Sequence, residues 1–128
     1  ENYGCPVIEE EEQEIINTAF DNLEFKSGKA IIRDESLNSL DDLAELLASK
    51  PEWKLRLAGH TDNVGNEKDN LILSKLRAEA VRDYLVKKGA NKDVIKVEFY
   101  GEKEPIASND TESGRQKNRR VEMEIQFE

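Results

Sequence analysis

The 128-residue sequence contains one cysteine, one histidine, one methionine, one tryptophan and three prolines. A single cysteine closes no disulfide within the chain, and one histidine with one cysteine is a poor basis for a protein-built zinc site. No apolar run approaches the ~18 residues that would span a bilayer as a helix, and no charged-apolar-small pattern marks an intact export signal. Positive charge is also outweighed. Against 28 acids the chain sets 19 lysines and arginines, a formal charge of -9 that repels a phosphate backbone and argues against nucleic acid as a partner.

What is present is 37% hydrophobic and 37% charged residues, the balance of one compact domain with a modest core. The acidity is uneven. Glu1, Glu9, Glu10, Glu11, Glu12 and Glu14 are six acids in the first 14 residues with no base among them, and the rest of the chain is close to balanced. Residues 1–7 combine Gly, Cys and Pro in an irregular segment read as the tail of an upstream repeat or linker, with the domain itself over residues 8–128.

From Ile8 to Ala19 the glutamates lead into Ile15 and Ile16, predicting a short helix whose acidic first turn suits its dipole. Phe20, Leu23 and Phe25 read as a first strand, closed by a loop at Lys26, Ser27 and Gly28. Leu37, Leu40, Leu43, Ala44, Leu46 and Leu47 have the spacing of a helix with one apolar face, ending before Pro51. Trp53, Leu55 and Leu57 alternate with Lys54 and Arg56 as a strand ending at Gly59, and His60 to Gly65 form a polar loop. A long helix starts at Asn66 or Asn70 and runs to Lys88, with Gly89 as its stop. Val94 to Tyr100 and Val121 to Phe127 alternate as strands, and the polar stretch between them holds a turn of helix near Thr111 to Lys117. The order predicts an α+β, two-layer fold: a mixed four-stranded sheet with helices on one face, a β-α-β-α-β-β core preceded by a helix.

The long helix contains an arginine where an apolar residue is expected. With Asn70 at zero and about 100° per residue, Leu73, Leu76, Ala80, Val81, Tyr84 and Leu85 share an arc, and Arg77 falls inside it near ~340°. An unpaired buried guanidinium is prohibitive, so Arg77 must reach a carboxylate or a polar cleft. Asp62, in the loop after the preceding strand, is the nearest candidate by crossover geometry. Either the two simply pair, or an amphoteric ligand inserts between them, its ammonium on Asp62 and its carboxylate on Arg77, whose planar fork suits a carboxylate.

At this helix, Asn70-x-x-Leu73-Ser74-x-x-Arg77-Ala78-x-x-Val81-x-x-x-Leu85 resembles the signature of OmpA-like peptidoglycan-binding domains. Gly59-His60-Thr61-Asp62-Asn63-x-Gly65, Tyr100-Gly101-Glu102, Pro105-Ile106-Ala107-x-Asn109, Gly114-Arg115 and Asn118-Arg119-Arg120-Val121-Glu122 extend the resemblance over roughly residues 15 to 127. It implies a non-covalent anchor to Gram-negative peptidoglycan through the diaminopimelate of the stem peptide. Asp62 matches the family's aspartate for the ligand ammonium and Arg77 its arginine for the ligand carboxylate, while Thr61, Asn63 and Asn70 match positions that shape the pocket. It also implies a periplasmic location, as part of a cell outer membrane protein whose barrel lies upstream. Gly4-Cys5-Pro6 resembles the end of a thrombospondin type 3 repeat array, in which Cys5 would pair with an upstream cysteine in an oxidising compartment.

Other chemistries find less support. His60 near Asp62 has no Ser or Cys nucleophile placed with it, so the chain is read as a binding protein and not an enzyme. Asp62, Asn63, Glu67 and Asp69 offer too few alternating oxygen ligands for calcium, and no cofactor is implied. Arg115, Lys117, Arg119 and Arg120 form a basic patch that balances nearby acids, with Arg119 or Arg120 also able to line the ligand cleft. The aromatic residues do not recur on one face as a stacking platform. The alternative from another class is a protein-interaction module whose cleft takes the carboxylate terminus of a partner peptide.

Overall fold

The computed structural model describes residues 8–26 and 29–126. The segment read as a repeat tail, with Cys5, lies outside the described residues. Among the described residues, four α-helices and three strands follow one another as α1 (Glu10–Asn22), α2 (Leu37–Ser49), β1 (Lys54–His60), α3 (Glu67–Lys87), β2 (Ile95–Gly101), α4 (Glu112–Asn118) and β3 (Arg120–Gln126).

The sheet has the order β2-β1-β3, with β1 parallel to β2 across the α3 crossover and antiparallel to β3. It is mixed, as expected, but three-stranded. The expected first strand over Phe20, Leu23 and Phe25 is replaced by two features: Phe20 belongs to α1, and Phe25 makes only an isolated bridge with Ile32. The Ser36 hydroxyl explains why this segment does not join the sheet. It donates to the Asn22 carbonyl at 2.6 Å and accepts from the Glu24 amide at 2.9 Å, satisfying the backbone groups a neighbouring strand would have used.

Leu55 and Leu57 of β1 point into the core with Ile95 and Val121, where they meet Ile16 and Ala19 of α1, Leu40, Leu43 and Leu47 of α2, and Val81 and Leu85 of α3. Trp53, 2% exposed, closes the end of this core. The opposite face of the sheet is charged. Arg56 donates to Glu98 at 2.7 Å and lies 3.7 Å from Glu124, and the Tyr100 hydroxyl donates to Glu98 at 2.7 Å. That hydroxyl, against the smaller opposing effect of burial and helped by Lys96 and Arg56, holds the Glu98 carboxyl down at about 2.

α3 is seated by a close approach. A methyl group on Gly59 would collide with the Ser74 carbonyl oxygen, so only glycine lets the helix lie this near the end of β1. Ser74 completes the seat, its hydroxyl donating to the Leu71 carbonyl at 2.7 Å and accepting from the Gly101 amide at 3.1 Å. The start of α3 is settled by Asn66, whose side chain accepts from the amides of Lys68 and Asp69. The buried face of α3 is Asn70, Ser74, Arg77, Ala78, Val81 and Leu85, centred on a different line from the expected arc. Leu76 is 46% exposed and Leu73 only half-buried, so Arg77 sits at one margin of the packed face, not in its middle.

Candidate functional site

β1 runs one residue further than expected, through His60, and the chain then turns away from the sheet. The Thr61 amide donates to the Gly101 carbonyl at 2.8 Å, and the Thr61 hydroxyl to the Asp62 carbonyl at 2.8 Å. Asn70, one turn into α3, gathers the loop from the other side: its side-chain amide donates to the carbonyls of Asp62 (3.3 Å) and Val64 (3.0 Å) and to Glu102 (3.0 Å). Asp62 is thereby buried, 7% exposed, with Oδ1 accepting from the Val64 amide at 3.0 Å. Thr61 and Asn70 are buried scaffolding, and Asn63 is exposed at the loop tip.

The simple ion pair between Asp62 and Arg77 does not form. Arg77 donates from Nε to the Lys29 carbonyl at 2.9 Å and lies over the Phe25 ring at 5.1 Å. It is 6% exposed, and among the described residues no carboxylate meets it. Burial, then the Arg119 charge, press its guanidinium below the ordinary arginine range, and the field of Asp62 partly offsets them. Phe25, expected as a strand residue, instead stacks on the site's arginine.

Asp62 pairs with Arg119. Its Oδ2 accepts from Arg119 Nη1 at 2.5 Å, and Arg119 Nη2 donates to Glu112 at 2.7 Å. Burial pulls the Arg119 guanidinium's pKa down, but Glu112 and Asp62 outweigh it and leave it above the ordinary value. Arg120 turns elsewhere, donating to Glu122 at 2.8 Å and to the carbonyls of Asn118 and Glu104. Of the two adjacent arginines, only Arg119 reaches the Asp62 loop. His60 does not meet Asp62 either: it stacks on Tyr100 at 5.3 Å, with Nε2 3.6 Å from Glu122.

Asn118 was named in the sequence only as part of a motif, with no role assigned to it. Fully buried, it accepts from the amides of Ile106 and Ala107 and donates to the Ala107 carbonyl and to Asn109, folding the long polar stretch against α4. Ser74 was likewise quoted only as a motif position, without its role in seating α3, and Glu112 was assigned no role in the sequence. A hollow of about 600 Å³ lined by Lys54, Asp93, Glu124 and Gln126 lies at the other end of the sheet from these groups.

With this geometry in view, known proteins supply the context. The family model described as the OmpA family matches residues 24–119. Outer membrane porin F of Pseudomonas fluorescens is 37% identical over 105 residues, 82% of this chain and 32% of that protein. The peptidoglycan-binding protein ArfA of Mycobacterium tuberculosis (strain ATCC 25618 / H37Rv) is 44% identical over 86 residues, 67% of this chain and 26% of that protein. The chain thus spans about a third or less of the length of these two relatives. Among solved structures, the peptidoglycan-associated lipoprotein of Burkholderia pseudomallei superposes with a TM-score of 0.77 at 29% identity, covering 81% of this chain and 88% of that one. The cell wall anchor of the T6SS from Pseudomonas aeruginosa gives 0.70 at 33% identity, covering 84% and 76%. The matched stretch includes Asp62, Arg77 and Arg119, and the chain belongs to the OmpA family.

Proposed function

We propose that this domain holds peptidoglycan non-covalently by the diaminopimelate residue of the stem peptide, tying the outer-membrane protein of which it forms part to the cell wall from the periplasmic side. The observation that carries the reading is Arg77, a guanidinium buried near Asp62 yet, among the described residues, without a carboxylate partner. A buried charge is costly until it is paired. An incoming carboxylate supplies the missing partner and can engage the fork with two hydrogen bonds. Asp62, of opposite sign, takes the ammonium. The distal centre of diaminopimelate bears both groups on one carbon, so one small end of the ligand satisfies both residues, while Thr61, Asn63 and Asn70 shape the loop around it. The names of ArfA, of the peptidoglycan-associated lipoprotein and of the cell wall anchor support the same partner. Such a site binds and performs no bond chemistry.

The test is calorimetric titration with diaminopimelate blocked at one centre, amine acetylated and carboxyl amidated, so that only the distal centre is free. The equivalent lysine derivative, which lacks the second carboxylate, is the first control, and Arg77→Ala, checked for folding by circular dichroism, the second. Heat with blocked diaminopimelate and the unaltered chain alone is the expected result. Silence there, with heat from a short peptide ending in a free carboxylate, would replace the wall anchor with a protein-interaction module.

A further inference from the structure

Arg119 stands at the C-terminal end of α4 and Glu112 at its first residue. Seven residues apart, they lie on one face of α4 two turns from each other, and their side chains meet across that face. The Arg119 fork then bridges two carboxylates, Asp62 at 2.5 Å and Glu112 at 2.7 Å. Glu112 is itself held by Arg115 Nε at 3.2 Å, and Arg115 Nη1 donates to the Asn109 carbonyl at 2.9 Å. A continuous chain of charge-assisted hydrogen bonds therefore runs from the Asn109 loop through both ends of α4 to Asp62.

On the reading that Asp62 receives the ligand ammonium, we infer that Arg119 is a positioning residue, which α4 and Glu112 hold in place to fix the Asp62 carboxylate for that ammonium. Asp62 has two tethers, one per oxygen: the Val64 amide on Oδ1 and Arg119 on Oδ2. Each oxygen keeps a second lone pair for the ligand, so both tethers leave room for a third partner while removing the freedom of the side chain to rotate. Pre-setting the acceptor spares the ligand the cost of ordering it. The sign of the effect is what distinguishes this role. Judged by charge alone, Arg119 repels an ammonium, and its removal would strengthen amine binding; as a positioner, its removal weakens it.

Three blocked probes separate the possibilities: diaminopimelate with its distal amine and carboxylate, 2-aminopimelate with the distal carboxylate alone, and lysine with the distal amine alone. Titrated into the 128-residue chain, the first is expected to bind tightest. In Arg119→Gln the preference for the first probe over the second should fall by about tenfold, within the range for coupled neighbours, with the preference over the third unchanged. Arg119→Lys, which keeps the charge and loses the fork, should fall between, and Glu112→Gln should act in the same direction with no further loss when combined with Arg119→Gln. Thermal melts of each variant identify any that fail to fold, in which case Arg119→Lys carries the decision. A stronger preference for the amine in Arg119→Gln would make Arg119 a competitor and overturn the inference. Loss of the preference over the third probe would also overturn it, by placing Arg119 on the ligand carboxylate. Failure of the unaltered chain to bind the first probe would sink the wall-binding reading itself, and this inference with it.

Discussion

Two side chains hold most of the site's information, and they do so differently. Arg77 could be found in the sequence because a charge between Tyr84 and Val81 on a helix wheel violates the period of its neighbours. Its partners could not, because the Lys29 carbonyl and the Phe25 ring come from a segment read as a strand and its loop. Arg77→Lys should keep the charge and lose the fork, lowering affinity for purified sacculi by about tenfold; undiminished co-sedimentation would remove the bidentate carboxylate from the account. Asn118 stands in one of the motifs that carry the resemblance, but its role was not legible, since a polar residue in a polar stretch breaks no periodicity until its neighbours fold over it. Asn118→Asp replaces a donor to the Ala107 carbonyl and Asn109 with a second acceptor, and should cost about 3 kcal/mol in urea unfolding.

Among the elements, α2, α3 and the three strands were legible because each buries one face and exposes the other. Their spacing in sequence is the spacing of that face. The first strand was misread for a physical reason: Phe20, Leu23 and Phe25 have the apolar content of an edge strand, but α1 absorbs Phe20, and the Ser36 hydroxyl takes the backbone groups on either side of Leu23. The wheel for α3 went astray because small residues, Ser74 and Ala78, line the contact with β1 where large apolar ones were expected. That contact makes a prediction at this scale. Gly59→Ala drives a methyl group into the Ser74 carbonyl, and backbone cannot rotate aside as a side chain does. Stability should drop by about 3 kcal/mol, and amide exchange should quicken in the first turns of α3 before it does in α2; uniform acceleration would mean that the collision is absorbed by the whole fold.

At the scale of the molecule, the charged face of the sheet makes stability depend on pH. His60 is 1% exposed, and neither ring nitrogen has a hydrogen-bond partner among the described residues. Burial, then Arg120 and also Arg56, lower its pKa from 6.5, against the pull of Glu122 and Glu104. The unfolded chain therefore takes up this proton first, so stability falls as pH drops below about 7 and levels off once the folded imidazole titrates. His60→Asn should flatten that slope in urea midpoints measured between pH 7.5 and pH 5; an unchanged slope would assign it to other groups. A second loss is expected at lower pH. Glu98 is held at about 2, against an ordinary 4.5, so the stability it contributes is present above about 4.5 and disappears as pH falls toward 2.

The sheet also sets a time at which the domain becomes competent. Leu55 pairs with Ile95 on one side and with Ile125 on the other, so the central strand waits for both of its neighbours to arrive from far along the chain. Long-range pairings of this kind close more slowly than local helical contacts. Asp62 follows the central strand, and Arg119 immediately precedes the last one. A chain that has not yet docked β3 has its aspartate and its arginine but lacks the tether between Asp62 and α4, so the grip proposed for this site should mature last, as the final strand closes.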